Sequence, residues 1–514
     1  MRLRGLAALA LAGALAPATV PAGATPRGPG RADPAGRALV TGPARSVPVL
    51  RDGPFGTPAR RLLGDAGGSL LARHVSSRGG WAWRSAIQGG RLQTDRDVGA
   101  AGVIVGLLAL REVTGDPAYL TAARRAGDWL LAVARRARGG LRWPDSAAMR
   151  GPVRLRDRFT SFDDGAPGIA DALWRLWAVT GDRRYRRAAL AGMRAEERLA
   201  EAPAGARCPR RYCRWPYDPG AGDETIRTGI GEGNAGIAYA YDVFAQRSGD
   251  RRFERYATSS AAYLERLITR QGAMPWAVGR RHYILGFLGG AAGDAFMFLR
   301  LYRHTGQRRW LRDARRLLGW VARRARSRRA GIDWPIFLDA RRPGPAGRRA
   351  ATGIEEGAAG IGWVALQAFD LTRRAAYLRM ARRAGDRLLA VAVAATSPTG
   401  PAWLWPEDVG VRLFHTSLDN GAPGIAWFLD DLWRETADRR YRDAALAAAR
   451  WLALVARRDA WGAYWLEYLD PRGWHLAADP SWHWGTAGIA GFLARLSGWR
   501  TDIPGEEPGL LGAE

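Results

Sequence analysis

The sequence contains no lysine and only two cysteines, and beyond its N-terminus it has no apolar run near the roughly 18 residues that a membrane span requires. We therefore expect no membrane span in the mature protein. Of its 514 residues, 47% are hydrophobic and 25% are charged, which excludes an intrinsically disordered chain. The length suits either several domains or one long repeat architecture, so internal repeats decide between the two.

Because lysine is absent, all 78 basic residues are arginine, and with 49 acidic residues the formal net charge is +29. Such a charge is typical of proteins that bind nucleic acid or an anionic surface. However, the arginines are spread over many predicted helix faces, and no nucleic-acid-binding motif accompanies them. We interpret them as a solvated surface that reflects a GC-rich codon bias, and we predict no nucleic acid partner.

Residues 1–24 have the pattern of an export signal. A short basic region with Arg2 and Arg4 precedes an apolar run, and Ala22-Gly23-Ala24 form a small-residue cleavage site. We expect an exported protein, periplasmic or extracellular. A retained N-terminal anchor is the alternative, but the apolar run is short for a span.

A Gly-x-x-Gly element recurs seven times in residues 59–500, at intervals of 57 to 68 residues. So regular a period indicates a repeat fold. Residues 25–58 are rich in proline and glycine and predict a flexible linker, and residues 501–514 form a C-terminal tail. The seven copies begin at Gly99, Gly165, Gly233, Gly290, Gly357, Gly421 and Gly485.

Each copy opens an amphipathic helix, as the spacing of Ile169, Leu173 and Leu176 illustrates. These inner helices end in turns such as Thr180-Gly181-Asp182, in which glycine suits a left-handed C-cap and aspartate caps a second, outer helix. A further outer helix is predicted around residues 60–74. The count is then seven helices of each kind.

Antiparallel helix pairs of this kind can close into a ring, because glycine lets backbones approach closely where the inner circle is narrowest. The predicted fold is all-α: an (α/α)7 toroid, or double-layer α/α barrel, of seven helical hairpins. An open solenoid is the alternative. The half repeat split between the chain ends favours closure, and a period of about 64 residues exceeds that of ordinary helical solenoids.

Seven such motifs at this spacing resemble those of the lanthionine synthetase C-like (LanC-like) cyclases, over roughly residues 60–500. The resemblance implies an α/α toroid with Gly-x-x-Gly at the start of each inner helix, and a peptide as the ligand. The resemblance supports the fold more strongly than it supports the activity. The copies that carry it are Gly165-Ala166-Pro167-Gly168-Ile169, Gly233-Asn234-Ala235-Gly236-Ile237, Gly357-Ala358-Ala359-Gly360-Ile361, Gly421-Ala422-Pro423-Gly424-Ile425 and Gly485-Thr486-Ala487-Gly488-Ile489.

The resemblance also implies where zinc would bind. Cyclases of the family hold zinc through two cysteines and one histidine, located one and two residues before the motif in two late, consecutive repeats, and the metal lowers the pKa of a substrate thiol. We expect a divergent member without these ligands and without a metal cofactor, since none of the corresponding residues is cysteine. They are Glu355, Glu356, Asp419, Asn420, His483 and Trp484.

Cys208 and Cys213 lie in the loop after the second outer helix of the repeats. In an exported protein we expect a local disulfide between them. Two alternatives stay open: a relocated zinc site that joins these thiolates to His415 or His483, and a pair of free thiols.

If the ring closes, the residues just before the motifs converge at one end of its axis. Helix capping is one interpretation, because acids before a first turn complement the helix dipole. The other is catalysis: crowded carboxylates repel one another, so one of them has a raised pKa and acts as a general acid. The candidate catalytic residues are Asp163, Asp164, Glu232, Glu355, Glu356, Asp419 and His483, with Asp97 in the same set.

The candidate ligand-binding residues are one amide and four aromatic side chains: Asn420, Trp215, Trp405, Trp482 and Trp484. The chain has 23 tryptophans, and several stand in loops beside proline, where they predict short extended or hairpin segments. In a funnel they could stack on sugar rings or grip peptide aromatics. The alternative is that they pack the loops onto the barrel rim.

Three functions follow from these observations. The first is an exported, zinc-independent LanC-like monomer that binds a peptide in the toroid funnel, with or without modifying it. The second is a glycan-active enzyme, because pairs of carboxyl groups hydrolyse glycosidic bonds. The third is a non-catalytic binding scaffold. A peptide or a glycan is accordingly the expected partner.

Overall fold

The computed structural model describes residues 56–149, 155, 159–203, 208–219, 223–339 and 349–499. The predicted signal peptide at 1–24, nearly all of the predicted linker and the tail at 501–514 lie outside these residues. All described residues belong to one compact unit. No helix in the described part of the chain combines the length and apolar character that crossing a membrane requires.

Fourteen α-helices in the described residues alternate between an inner and an outer layer. Each of the first six inner helices packs against the outer helix that follows it, and the last inner helix packs against the first outer helix. The inner helices are α2 (Ala100–Thr114), α4 (Ala166–Thr180), α6 (Asn234–Ser248), α8 (Ala291–Thr305), α10 (Ala358–Thr372), α12 (Ala422–Thr436) and α14 (Thr486–Leu496). The outer helices are α1 (Gly56–Ala72), α3 (Pro117–Val133), α5 (Arg183–Glu196), α7 (Arg251–Glu265), α9 (Arg308–Arg323), α11 (Ala375–Val391) and α13 (Arg439–Val455). Helix α1 begins three residues before the predicted domain boundary at residue 59.

The turns within the helix pairs have the predicted caps. Gly115 ends α2 with a φ of 74°, and Asp116 accepts a hydrogen bond from the N–H of Ala118 at the start of α3. Two turns lack glycine, and there Arg373 and Ala437 take the left-handed conformation, with φ of 51° and 57°. The same glycine and aspartate caps recur at Gly181, Asp182, Gly249 and Asp250.

The second glycine of each motif lies at a close approach between neighbouring repeats. A Cβ at Gly488 would collide with the carbonyl oxygen of Trp482 and would lie 3.2 Å from the Cβ of Leu418 in the preceding repeat. A Cβ at Gly102 would lie 2.8 Å from that of Trp482. The first repeat therefore packs on the last as the other repeats pack on their predecessors, and packing requires glycine at these positions.

A ring of backbone hydrogen bonds closes the toroid. Each loop before an inner helix donates an N–H to a carbonyl of the next such loop, and the seventh loop donates back to the first. The donor and acceptor residues are Asp97 and Asp163 (3.3 Å), Asp163 and Gly231 (3.1 Å), Gly231 and Leu288 (2.9 Å), Leu288 and Glu355 (3.0 Å), Glu355 and Asp419 (3.1 Å), Asp419 and His483 (3.4 Å), and His483 and Asp97 (3.3 Å). The predicted toroid is confirmed, and the open solenoid is wrong.

The residues that precede the ring positions form a second, buried layer. Six of them are apolar, and the seventh is Arg96, whose guanidinium donates to Asp171 at 2.8 Å and lies 5.5 Å from the ring centroid of Phe162. The six apolar members of this layer belong to the hydrophobic core. The members of the layer are Arg96, Phe162, Ile230, Phe287, Ile354, Leu418 and Trp482.

Short antiparallel strands occupy the long loops of the described residues. Five two-stranded hairpins follow outer helices, with registers such as Val75 opposite Ala82. They are β1 (Val75–Ser77) with β2 (Gly80–Ala82), β5 (Arg135–Ala137) with β6 (Gly140–Arg142), β9 (Arg326–Ser327) with β10 (Ile332–Asp333), β12 (Val393–Ala395) with β13 (Ala402–Leu404), and β15 (Arg457–Asp459) with β16 (Gly462–Tyr464). The remaining small sheets are β3 (Arg84–Ser85), β4 (Arg91–Gln93) and β7 (Ser146–Ala147); β8 (His282–Ile284) and β11 (Phe337–Asp339); and β14 (Phe414–His415), β17 (Tyr468–Asp470) and β18 (Gly473–His475).

Loop tryptophans anchor these segments to the outer helices. In six loops the indole N–H donates to a carbonyl at the end of the preceding outer helix, and all six side chains are at most 6% exposed. The Trp-Pro segments are therefore structural anchors. The donor and acceptor residues are Trp83 and Leu70 (2.8 Å), Trp143 and Leu130 (2.8 Å), Trp215 and Glu196 (2.9 Å), Trp334 and Val321 (3.0 Å), Trp405 and Leu388 (2.8 Å), and Trp465 and Leu452 (2.8 Å).

Candidate functional site

The side chains at and next to the ring positions define the candidate site, which we call the acid funnel. Two ring positions, Gly231 and Leu288, carry no polar side chain. The site reaches solvent, because the side chains of Asp97 and Glu232 are 23% and 36% exposed. The acid funnel consists of Asp97, Asp163, Asp164, Glu232, Glu355, Glu356, Asp419, Asn420, His483 and Trp484.

His483 joins the last repeat to the sixth and to the first. Its Nδ1 lies 3.1 Å from Oδ2 of Asp419 and 3.5 Å from Oδ1 of Asp97. Burial lowers the pKa of His483, but the charges of Asp419, Asp163 and Asp97 outweigh burial and raise this pKa well above its ordinary value. The imidazole is therefore protonated at neutral pH.

Asp163 stands beside Gly231, the ring position without a side chain. A Cβ on that glycine would lie 2.5 Å from Oδ2 of Asp163, so glycine leaves room for the carboxyl group. Oδ1 of Asp163 is buried without a hydrogen-bond partner. Burial, together with three neighbouring carboxylates, raises the pKa of Asp163 to about 7 against the opposing charge of His483.

Glu355 and Glu356 are held by different partners. Nδ2 of Asn420 donates to Oε2 of Glu355 at 2.9 Å, and the N–H of Gly289 donates to Oε1 of Glu356 at 2.8 Å. Burial and the charge of Asp419 raise the pKa of Glu355 to about 8. Burial and the charge of Glu355 also raise the pKa of Glu356 well above its usual range.

Asp164 and Glu232 are engaged by two residues that sequence reasoning missed. The hydroxyl of Tyr217 donates to Oδ2 of Asp164 at 2.7 Å, and Arg227 forms an ion pair with Glu232. The guanidinium of Arg227 lies 3.5 Å from the ring centroid of Tyr217. Burial raises the pKa of Glu232 to about 7, although Arg227 opposes the rise. The sequence signal that could have identified Tyr217 and Arg227 is their position in the loop before the third motif.

These contacts distinguish helix capping from a role of the acids within the funnel. The N-cap position of each inner helix is the motif glycine itself. Asn420 donates to Glu355 and Asp164 accepts from Tyr217, so both of these polar side chains are engaged within the funnel. Protonated and ionised groups therefore lie side by side at neutral pH, an arrangement that can both donate and accept protons.

Three of the four predicted ligand-binding tryptophans are buried. Trp215 and Trp405 are each 1% exposed and anchor loops, and Trp482 is 0% exposed and packs on Gly491. Their rings offer no face to a ligand, so packing explains these three. Trp484, which is half-buried beside His483, remains a candidate.

In the structure the sulfur atoms of Cys208 and Cys213 are joined in a disulfide. A zinc site built from these two thiolates is therefore excluded, because both sulfur atoms are bonded to each other. His415, one of its proposed partners, lies instead between Glu407 and Glu467, with a ring nitrogen 3.4 Å from each carboxylate.

One group of side chains in the described residues has the spacing of a cation site. Asp97, Asp419 and His483 each offer a ligand atom, and the three atoms lie within 4.8 Å of one another. This group stands where the first repeat meets the last two.

The sequence profile of the family described as lanthionine synthetase C-like protein matches residues 224–503. Among curated proteins, none matches this sequence. Similar solved structures include nisin cyclase, with 12% identity over 69% of this chain and 80% of that chain and a TM-score of 0.48. A sugar epimerase from a ruminal bacterium has 10% identity over 85% of this chain and 97% of its own, also with a TM-score of 0.48. A family 76 glycoside hydrolase from a bovine Bacteroides thetaiotaomicron strain has 10% identity over 86% of this chain and 77% of its own, with a TM-score of 0.45.

Proposed function

Because the chain belongs to the lanthionine synthetase C-like family, whose profile covers more than half of it, we propose that it is an exported member that binds a peptide in the acid funnel and acts on it by proton transfer. Export is the part of this proposal that rests on residues 1–24. Mass spectrometry of the N-terminus should find a processed chain outside the cytoplasm.

The observation that carries the proposal is the convergence of the ring positions. Asp163 and Glu355, with pKa values of about 7 and about 8, share the funnel with the ion pair of His483 and Asp419. A group that titrates near neutral pH can give up a proton and take it back during a reaction. The funnel places seven carboxyl groups against the basic side chains of His483 and Arg227, and a bound cation favours the ionised form of a carboxyl group, so we expect the funnel to prefer peptides that carry arginine or lysine.

The thiolate-bound zinc of the family does not fit the donor set of this chain. Both cysteines are joined in a disulfide, and Asp419 and His483 stand two residues before the motif in the last two repeats. No thiolate is left to hold the metal that would activate a substrate thiol. We propose that the funnel acts through carboxyl and imidazole groups without thiolate-bound zinc.

Peptide binding can be measured by fluorescence anisotropy, in EDTA at pH 7, with an arginine-rich peptide and with the same peptide carrying glutamate for arginine. The net charge of +29 favours the acidic peptide on the outer surface, so a preference for the basic peptide reports the funnel.

We expect the basic peptide to bind, and the double substitution Asp163→Asn/Asp419→Asn to lower its affinity at least about tenfold, as loss of two charge-assisted contacts requires. The matched control Asp128→Asn/Asp386→Asn removes the same charge from two outer helices and should leave the affinity unchanged. Equal affinity for both peptides, or an unchanged funnel variant, would contradict the proposal.

A second candidate function is hydrolysis of a glycosidic bond. The specific observation in its favour is Asp163, because a buried acid with a pKa of about 7 suits the general acid of a glycosidase. Release of reducing sugar from a panel of glycans, abolished by Asp163→Asn, is the expected result for this function. If no glycan of the panel is hydrolysed, this second function is excluded.

A further inference from the structure

A cluster of one aspartate and three arginines lies buried among the first three inner helices. In α4, Oδ2 of Asp171 accepts from Nη1 of Arg96 at 2.8 Å and from Nε of Arg175 at 2.7 Å. The other oxygen, Oδ1, accepts from Nη1 of Arg247 in α6 at 2.6 Å. The exposed fractions of the four side chains lie between 1% and 6%. Three repeats therefore contribute charged groups to one buried position.

The cluster has an excess of positive charge. Burial raises the pKa of Asp171, but the charges of the three arginines outweigh burial and hold this pKa below its ordinary value. The carboxylate is therefore ionised, and with three guanidinium groups, which stay protonated in proteins, the four side chains carry a net charge of +2. Asp163 acts on Arg96 from the acid funnel and offsets at most one of these charges. Buried charge without a counter-charge destabilises the folded state.

Arg247 supplies an unsatisfied pair of donors at this position. Its side chain is 6% exposed, and while Nη1 donates to Asp171, Nε and Nη2 are buried and have no hydrogen-bond partner among the described residues. Nε–H and Nη2–H form one edge of the planar guanidinium, and this edge matches two oxygen atoms of a single anion. Buried donors without a partner are costly, so the edge points to a ligand that accepts two hydrogen bonds.

The position of Arg247 separates this edge from the acid funnel. The inner helices begin at the funnel, and Arg247 belongs to the last turn of α6. Asp171 follows the second glycine of its motif by three residues, whereas Arg247 follows that of its own motif by eleven, so the arginine side chain extends from the far end of α6 back into the barrel. Gln246, beside Arg247 in the chain, is exposed, so solvent reaches that end of the helix.

We propose that the Nε–Nη2 edge of Arg247 binds one doubly charged oxyanion of the phosphate class inside the barrel. Two oxygen atoms of the anion accept from Nε and Nη2, Asp171 fixes the guanidinium through Nη1, and Arg96 and Arg175 add positive potential. The excess positive charge favours a doubly charged anion over a carboxylate, which carries one charge. The site lies outside the acid funnel, so its occupation does not depend on the proposed peptide.

Isothermal titration of the full chain with sodium phosphate and, separately, with sodium acetate tests the proposal. A background of about 0.15 M NaCl screens diffuse attraction to the arginines of the surface. We expect one phosphate per chain and an affinity for acetate at least about tenfold weaker, because acetate lacks the second charge. Arg247→Lys keeps the charge but removes the two-donor edge, and it should weaken phosphate binding at least about tenfold, as the loss of one charge-assisted hydrogen bond requires.

Arg434→Lys is the matched control. Arg434 also lies in the last turn of an inner helix, α12, but its Nε already donates to Oδ2 of Asp430 at 2.7 Å. Phosphate affinity should stay within about threefold of the wild-type value in this variant, far less than the loss of a charge-assisted bond. Far-UV circular dichroism establishes that both variants are folded.

Three results would overturn the proposal. Equal losses in Arg247→Lys and Arg434→Lys would show diffuse attraction, and acetate binding as tight as phosphate binding would exclude a doubly charged ligand. A wild-type protein that does not bind phosphate would overturn the proposal without any variant, and would leave Arg247 as a partner of Asp171 alone. None of these results bears on peptide binding in the acid funnel.

Discussion

The substitution Asp163→Asn tests whether ring closure buries an acid in the funnel. Asparagine keeps the shape of the side chain and removes its charge, and Asp163 is 6% exposed. Its pKa is about 7 in the folded protein, against an ordinary value of 3.8 that we take for the unfolded chain. The folded state therefore binds this proton more tightly, and the free energy of unfolding of the wild type falls as pH rises from about 4 to about 7.

The size of the effect follows from the two pKa values. Their difference is about 3 pH units, and each unit corresponds to 1.36 kcal/mol, so the titration of Asp163 lowers the wild-type stability by up to about 4 kcal/mol. Asparagine does not titrate. We expect Asp163→Asn to match the wild type at pH 4 and to be more stable by up to about 4 kcal/mol at pH 8.

Urea denaturation in EDTA at pH 4, 6 and 8, followed by circular dichroism, measures the difference. The control is Asp182→Asn at the N-cap of α5, where hydrogen bonds from Arg184 lower the pKa of Asp182. The wild type should be more stable than Asp182→Asn at neutral pH, and this advantage should be lost as pH falls, which is the opposite trend. A difference for Asp163→Asn that does not change with pH, or a wild type more stable than this variant at pH 8, would refute the reasoning.

Three further substitutions test the fold outside the funnel. Ala437 has a left-handed backbone conformation at a C-cap, so Ala437→Gly should raise the free energy of unfolding by about 0.5–1 kcal/mol. The control Ala456→Gly, at a C-cap with a φ of −58°, should lower the free energy of unfolding. Equal effects of the two substitutions on urea denaturation would contradict this prediction. Asp294→Ile should stabilise by about 1–3 kcal/mol, because both carboxyl oxygens are buried without a partner where the other motif copies carry valine or isoleucine. Since burial raises the pKa of Asp294 well above its usual range, the gain should grow with pH, and a loss of stability would count against a buried isolated acid. For His415, burial lowers the pKa, but the hydrogen bonds of two glutamates outweigh it and raise the pKa to about 9. His415→Gln should therefore cost stability below pH 6.5, with the cost declining toward pH 9, and a constant cost would exclude this ion pair as its source.

The repeat architecture could be predicted because its signals are local. A turn such as Gly115-Asp116 ends one helix and starts the next through bonds to residues a few positions away. The recurrence of the motif glycines then specified seven equal units, and a half repeat at each chain end pointed to closure. The same spacing placed acids one or two residues before five of the seven motifs, so the members of the funnel were known before their arrangement.

The partners within the funnel depended on the tertiary structure. His483 meets Asp97 across the whole length of the repeats, and Glu356 turns to the backbone of Gly289 in the preceding one. Tyr217 and Arg227, which engage two of the acids, carry no motif of their own. Burial likewise separated Trp405, which anchors a loop, from Trp484, which borders the funnel.

The sequence by itself determined the helical period, the caps and the set of side chains near the axis, because each depends on residues close together in the chain. Only the tertiary structure decided which acids have raised pKa values, which tryptophans are buried and which side chains of the first and last repeats meet at the seam. These contacts join residues from different repeats, and their distances arise from the curvature of the closed ring, which no local pattern encodes.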